Sequence, residues 1–338
     1  MAEARWSDRG TEVRVVVTGT ETSRVARRLV TAELAALNRT HGHRWGGSEL
    51  SRVHRAAGTP VRISARLAEL VAAALAAAEL TDGDVDPTVG AALLRLSRPG
   101  RDPWLPVCGS SLRPTAERDG WRRVGLRDGS LTVPAPVLLD LTATARAVTA
   151  RRCANLLAAR IGDGVLVALG GCVATAGPPP PGGWRVPIGG VTLGLAGGAL
   201  AHTRTTGRGP ARPIVDPRTG LPPAPVWRDA TVAAADPVTA KALSLAALVR
   251  GAGARSWLAG LGTNARLVAM DGTVETVGAL VGVPPVAGSG APDEVQAVGG
   301  IDAPDGTQMA GAIDAPHEAR TVGGVDLPAG AQAVSSGR

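Results

Sequence analysis

From Glu12 to Gly19 the sequence EVRVVVTG alternates and is rich in β-branched residues, which predicts an opening strand. Apolar residues then recur at three- to five-residue steps from Thr22 to Asn38, at Val25, Leu29, Leu34 and Leu37, the spacing of one helix face. Ser64 is placed to cap a helix running through Glu79, and the cluster Thr81-Asp82-Gly83-Asp84 ends it. A further helix is expected over 88–96 and a loop over the Pro- and Gly-rich stretch 99–114. A hairpin is expected over 121–134, turning through Arg127-Asp128-Gly129.

Asp140 can cap a long helix to about Ala159, and the short apolar run from Gly164 to Leu169 reads as a buried strand entering Gly170-Gly171. After the prolines Pro178 to Pro181, strands crowd together at 184–188, 191–195 and 199–203, and Asp216-Pro217-Arg218-Thr219-Gly220 is a turn sequence. Beyond it the pattern gives a strand over 231–235, a helix over 238–249 and a short helix over 255–261. A hairpin over 265–277 turns through Asp271-Gly272. Helices and strands mix with no regular βαβ series, which is the α+β class.

Composition changes this picture in three ways. With 338 residues, 44% hydrophobic and 19% charged, the chain can bury a sizeable core and falls outside the disordered class as a whole. It has no Phe and no Tyr, only seven Trp, so its core must be filled with Ala, Val and Leu. Any planar ligand could be stacked only by Trp, Arg or His. Cys108, Cys153 and Cys172 are widely spaced with no CxxC, which supports neither a disulfide framework nor a zinc site. With no apolar run of 18 residues and no leader pattern in Met1 to Gly10, a cytoplasmic protein without a membrane span is expected.

The formal charge is +7, but the stretch 284–338 carries seven acids against Arg320 and Arg338, a net −5 that leaves +12 on the rest. That excess is scattered arginine, without a run of five or interleaved aromatics, so a solvated surface is expected rather than a nucleic-acid interface. The same stretch repeats every twelve residues, with Pro292, Pro304, Pro316 and Pro328 in phase. Units this short, with one proline and a few small apolar groups, cannot each bury enough surface to offset chain entropy. An acidic disordered tail is expected in preference to a stacked β-solenoid.

Several blocks, in order, resemble one family, the FAD:protein FMN transferases or ApbE-like flavin transferases. Asn38 with Ser48-Glu49-Leu50-Ser51-Arg52-Val53 is similar to the family's SELSRxN segment, and Thr81 to Gly90 (TDGDVDPTVG) to its TDGAFDPTVG. Asp140-Leu141 opens the equivalent of DLGAIAKGYA, Leu169-Gly170-Gly171 resembles LGGD, and Ile214 to Gly220 (IVDPRTG) resembles IIDPRTG. The resemblance runs from about Arg9 to Gly278. It implies an α+β flavin-transferase fold with mixed sheets over 1–283, followed by the tail 284–338. It also implies a reaction in which FAD is split and FMN is attached to a Thr or Ser of an acceptor protein, releasing AMP, with a divalent metal and a general base. By the same matching, Asp86, Asp140, Arg146, Ile214 and Lys241 are expected to border the cofactor.

The departures fall where the chemistry would be. The family's metal-ligating Asp and Thr, four residues apart on one helix face, match Lys241 and Leu245, which cannot coordinate Mg²⁺. The family's histidine before its IDPRTG aspartate, the proposed base, matches Pro213, and the Asp after LGG matches Cys172. The Lys of DLGAIAKGYA matches Arg146, and ATSG matches Ala201-His202-Thr203-Arg204. FAD binding is therefore expected with Mg²⁺ in doubt, as an impaired transferase with an acceptor protein as partner. The competing readings are an active transferase with Asp236 supplying the metal, and a basic module binding an acidic partner or nucleic acid.

Lys241 could supply the metal's positive charge, with Arg146 and Arg204 nearby to hold a diphosphate, or reach out to water from the helix edge. His41-Gly42-His43 reads as a solvated turn, Cys172 as a small core residue, and Asp84 and Asp86 as acceptors of backbone hydrogen bonds in their turn.

Overall fold

The chain begins with a strand that the sequence pattern does not announce. β1 (Ala2–Asp8) pairs antiparallel with β2 (Thr11–Val17) through Arg9 and Gly10, both at positive φ. Two of the inward positions of β1 are alanines, Ala2 and Ala4, so its alternation carries little hydrophobic contrast. The computed structural model describes residues 1–19, 23–41, 47–96, 119–205 and 213–280. The predicted loop 99–114, Gly42 and His43, Cys108 and the tail 284–338 lie outside them.

After β2 come α1 (Ser23–His41), α2 (Glu49–Arg55), β3 (Val61–Arg62), α3 (Ala65–Leu80) and α4 (Gly90–Leu96). Then follow β4 (Gly125–Arg127), β5 (Ser130–Thr132), α5 (Thr142–Ile161), β6 (Val165–Leu169) and β7 (Cys172–Ala176). β8 (Trp184–Ile188) and β9 (Val191–Leu195) form a hairpin of their own, and β10 (Ala199–Arg204) and β11 (Trp227–Ala234) return to the main sheet. The last elements are α6 (Pro237–Arg250), α7 (Ala254–Gly260), β12 (Asn264–Ala269) and β13 (Val274–Val277).

One sheet of eight strands, in the order β1-β2-β6-β7-β10-β11-β12-β13, is antiparallel throughout, and β3, β5 and β4 make a small second sheet. The period of two along its strands separates two cores. Val13, Val15 and Val17 of β2 with Val165, Val167 and Leu169 of β6 pack under α1, α3 and α5. Val16 and Leu166, one residue out of phase, pack on the other face with Leu200 against Trp184, Val186 and Leu193 of the β8–β9 hairpin. α6 covers β11 from the helical face through Leu243 and Ala247.

Most predicted elements are present, and the differences have local causes. Leu34 and Leu37 of α1 are buried as expected, but in the first half of the helix Ala26 and Val30 face the core and Val25 is exposed, one residue over from the expected positions. α4 starts at Gly90 because Thr88 is held by Asp86 through its N–H and its hydroxyl, at 2.7 and 2.6 Å. Asp140 is not the cap of α5; Leu141 is, and Asp140 accepts the Thr142 N–H at 2.9 Å from one position earlier. β7 was not foreseen, because Cys-Val-Ala-Thr-Ala after two glycines has no alternation to read. β11 starts four residues before its predicted position, with a bulge between Trp227 and Asp229.

The motif turns are joined by charge. Asp84 is paired with Arg250 at the end of α6, whose guanidinium also donates to the Thr81 carbonyl at 3.1 Å and lies over the Trp257 ring at 4.0 Å. Arg218 grips Asp216 at 2.9 and 3.2 Å, donates to the Val249 carbonyl at 3.3 Å, and stands 3.8 Å from Asp84. Asp84 thus holds a side-chain ion pair rather than the expected backbone bonds, while Asp86 accepts from a backbone N–H as expected. Burial pushes the Asp84 carboxyl above the ordinary range, and the two arginines pull against it.

Arg250→Ala should therefore destabilise the fold by about 3 kcal/mol by leaving a buried carboxylate with Arg218 at 3.8 Å as its remaining charged partner, a fall in melting temperature on the order of 5–10 °C. Removing the guanidinium raises the Asp84 pKa further, so the deficit is largest at neutral pH and shrinks as acid protonates the carboxyl. Thermal melts across the carboxylate range will show this convergence.

Candidate active site

Lys241 lies in the second turn of α6, where the helix crosses β10. Asp236 starts that helix by accepting the Val238 and Thr239 N–H groups at 2.8 and 3.1 Å, with Pro237 at the first position. The Lys241 side chain does not run out to water. Its Nζ donates to Thr203 Oγ1 at 2.7 Å. The Ser244 hydroxyl donates to the Lys241 carbonyl at 3.0 Å, so the 2.7 Å contact between Ser244 and Thr203 must carry the Thr203 proton. The result is a directed chain from the ammonium through Thr203 and Ser244 back to the backbone of α6. Burial pulls the Lys241 pKa down, the Cys172 thiol acts to raise it and Arg146 adds to the fall.

Three other groups close around this ammonium. Arg146, exposed on α5, has its Nη1 3.8 Å from where a side chain at Gly170 would begin, and Gly170 sits at φ +57 in the turn between β6 and β7. A side chain at Gly171 would collide with the His202 carbonyl, so the Gly-Gly pair lets this turn press against β10. Cys172 is 3% exposed and burial pushes its thiol up, which agrees with a core residue and not a nucleophile.

The other expected residues are spread over neighbouring elements. Leu245, one turn beyond Lys241, packs with Ala77, Val85 and Ala246 in a small apolar cluster. Pro213 is half-buried, and Ile214 leans on the cluster around Trp227. Asp86 and Asp140 are buried and adjacent through the chain, since the Asp140 N–H donates to the Pro87 carbonyl at 2.7 Å. Burial also raises the Asp86 pKa against its bonds from Thr88.

A divalent cation held here would need several hard oxygens. Position 241 presents an ammonium and 245 an isobutyl group, and among the described residues no three of His, Cys, Asp and Glu gather to hold a metal ion. Positions 241 and 245 thus offer no side-chain oxygen to Mg²⁺. The Asp236 carboxylate is engaged otherwise, capping α6 and pairing with Arg151 at 2.8 Å. It borders a groove of about 340 Å³ between α3 and α6, floored by Ala73, Ala76 and Val238.

Sequence reasoning passed over Thr203 and Ser244 as site residues. The signal available was a serine three residues after the lysine in an otherwise apolar helix, the spacing that puts both on one face. On the opposite face of β10, His202 Nδ1 lies 2.9 Å from Thr231 Oγ1 beneath Gly189 of the β8–β9 turn. Burial lowers the His202 pKa to about 4; Asp229 opposes this, while Arg204, Lys241 and Arg266 reinforce it. Arg204, expected near the lysine, stands instead 3.6 Å from the buried Asp229.

The scattered arginines are widely engaged: Arg14 with Glu3, Arg66 and Arg152 with Glu33, Arg151 with Glu69 and Asp236, and Arg255 with Glu275.

The ApbE family model matches residues 9–267. No curated protein gives a significant match. Among solved structures, the chain is similar to the ApbE protein of Thermotoga maritima, at 25% identity and a TM-score of 0.66 over 82% of this chain and 96% of that one. It is also similar in fold to Pseudomonas stutzeri flavinyl transferase ApbE in its apo form, at 20% identity and a TM-score of 0.69 over 82% and 95%. A third likeness is to the flavin transferase ApbE of Vibrio cholerae, at 19% identity and a TM-score of 0.65 over 82% and 97%.

A folded-state pKa below the ordinary 6.5 means that the neutral His202 ring is the form the fold favours. Stability is then fully present above pH 6.5 and declines as pH falls from 6.5 towards 4. NMR titration should find this ring neutral down to about pH 5, whereas an unperturbed histidine titrates near 6.5, and His202→Gln should flatten the acid limb of the stability curve.

Proposed function

Since the chain belongs to the ApbE family, we propose that it is a flavin-binding relative of the FAD:protein FMN transferases whose transfer step is impaired. In this reading residues 1–283 are the flavin-transferase domain, 284–338 are an acidic appendage, and the partner is a flavin-acceptor protein. The observation that carries it is the ammonium of Lys241 bonded to Thr203 at 2.7 Å, at the position matched to a family metal ligand.

The family reaction breaks the bond joining the two phosphates of FAD. The hydroxyl oxygen of an acceptor Thr or Ser attacks the FMN phosphorus, its proton is removed, and AMP leaves with the electron pair of the broken bond. Two demands follow, charge neutralisation at the diphosphate and a base for the hydroxyl. Lys241 with Arg146 supplies positive charge. The position matched to the base is Pro213, whose side chain has no group that can accept or give a proton. Binding is therefore supported by residues in place, while proton removal has no group assigned to it. With no Phe or Tyr in the chain, the flavin ring would be stacked by Trp, Arg or His, or packed on aliphatic side chains.

The test is to incubate the full chain with FAD, Mg²⁺ and a peptide carrying an acceptor Thr, and to follow AMP release, peptide labelling and flavin fluorescence. FAD should bind, with neither AMP nor labelled peptide above the protein-free blank. Labelling would overturn the impairment, and absence of flavin binding would overturn the whole reading.

A further inference from the structure

Arg146 lies against Gly170, the Gly170-Gly171 turn presses on β10 at His202, and Lys241 is bonded to the next residue of that strand, Thr203, which brings two cations to one place. Among the described residues, Lys241 is bonded only to a hydroxyl and Arg146 has no ion pair, although Arg14, Arg66, Arg151, Arg152, Arg218 and Arg250 all have carboxylate partners. A desolvated ammonium beside a second positive charge is unfavourable, and either loss of its proton or an anion between the two relieves it.

The surroundings are arranged for one. The Thr203 proton is committed to Ser244 and the Ser244 proton to the Lys241 carbonyl, so Thr203 Oγ1 can only accept from the lysine. That bond fixes the ammonium from behind, and an ammonium has two further N–H groups to offer. Arg146 presents an exposed fork, and the bare backbone of Gly170 leaves room beside it.

We infer that Lys241 and Arg146, with Thr203 positioning the ammonium, form an anion site that takes a diphosphate without a divalent cation. This deepens the flavin reading and rests on it only for the natural ligand, because any diphosphate, free or within a dinucleotide, offers the same oxygens. A magnesium ion brings no oxygen-rich seat with it here and would be repelled by the ammonium. It also sequesters diphosphate in solution, so added Mg²⁺ weakens binding.

The experiment is calorimetric titration of the full chain with inorganic pyrophosphate and, separately, with FAD, each in chelator and in magnesium. Pyrophosphate should bind in chelator and less tightly in magnesium. Lys241→Met and Arg146→Gln should each weaken it about tenfold or more, while Lys241→Arg keeps most of the affinity. The site is overturned if pyrophosphate fails to bind, if it binds only with magnesium, or if both charge-removing variants bind like the parent. Should Lys241→Met not fold, Arg146→Gln, at an exposed helix position, decides alone. Pyrophosphate bound with FAD refused leaves the site standing and removes the flavin reading. FAD bound with an affinity indifferent to both cations removes the site and leaves the flavin reading.

Discussion

A core without phenylalanine or tyrosine must be closed by bringing backbones together. That constraint governs how α5 and α6 meet the sheet: Ala145, Ala147, Ala150 and Ala154 on the first, and Ala240, Ala242, Ala246 and Ala247 on the second, are at most 1% exposed. Close packing of this kind leaves little room for a long side chain to choose its direction. Lys241, flanked by Ala240 and Ala242, is directed onto β10, where the only polar atoms on that face of the strand belong to Thr203. The lysine's place follows from the packing of its neighbours and not from its own preference for water.

The residues that resemble family motifs are explained by the fold before any reaction is considered. Ser48 caps α2 through the Ser51 N–H at 3.2 Å, and Glu49 accepts both the N–H and the hydroxyl of Ser64 at 2.6 Å, tying the start of α2 to the start of α3. Asp84 and Asp216 are bound by Arg250 and Arg218, and Asp86 and Asp140 each hold the threonine two residues on. A side chain with a satisfied structural role gives no information about turnover. The informative positions are 213, 241 and 245, where the residue types present differ from those the matched chemistry would use.

How much of this was legible in the sequence depends on the kind of signal. Turns with Asp-Gly, helices with an apolar stripe and the Ser64 cap were readable because each is decided within a few residues. β1 and β7 were not: the inward positions of β1 begin with Ala2 and Ala4, which mark a face weakly, and β7 is Cys-Val-Ala-Thr-Ala with no alternation, so both are defined by their partners across the sheet. At the site, the sequence identified which residues stand at the matched positions, but not where their side chains go. The choice between a lysine reaching water and a lysine held inside turned on Thr203, which is 38 positions away in the chain. The arginine at 204 was expected beside the lysine and sits on the other face, for the reason that successive strand residues point to opposite sides.

A carboxylate holding a divalent cation and a single ammonium carry the same net charge, yet they are not equivalent at a diphosphate. The cation can bridge two phosphate oxygens at fixed distances and follow charge as it moves onto the leaving group. The ammonium donates along separate N–H directions, and here one of them is fixed on Thr203. Such a group can repay the desolvation of a bound anion, which lowers the energy of the ground state, but it has no means of tightening as the phosphorus–oxygen bond breaks. Interactions equally strong in ground and transition states improve binding without accelerating the chemical step. A lysine standing where a metal ligand is matched would therefore be the kind of change that separates holding a dinucleotide from cleaving it.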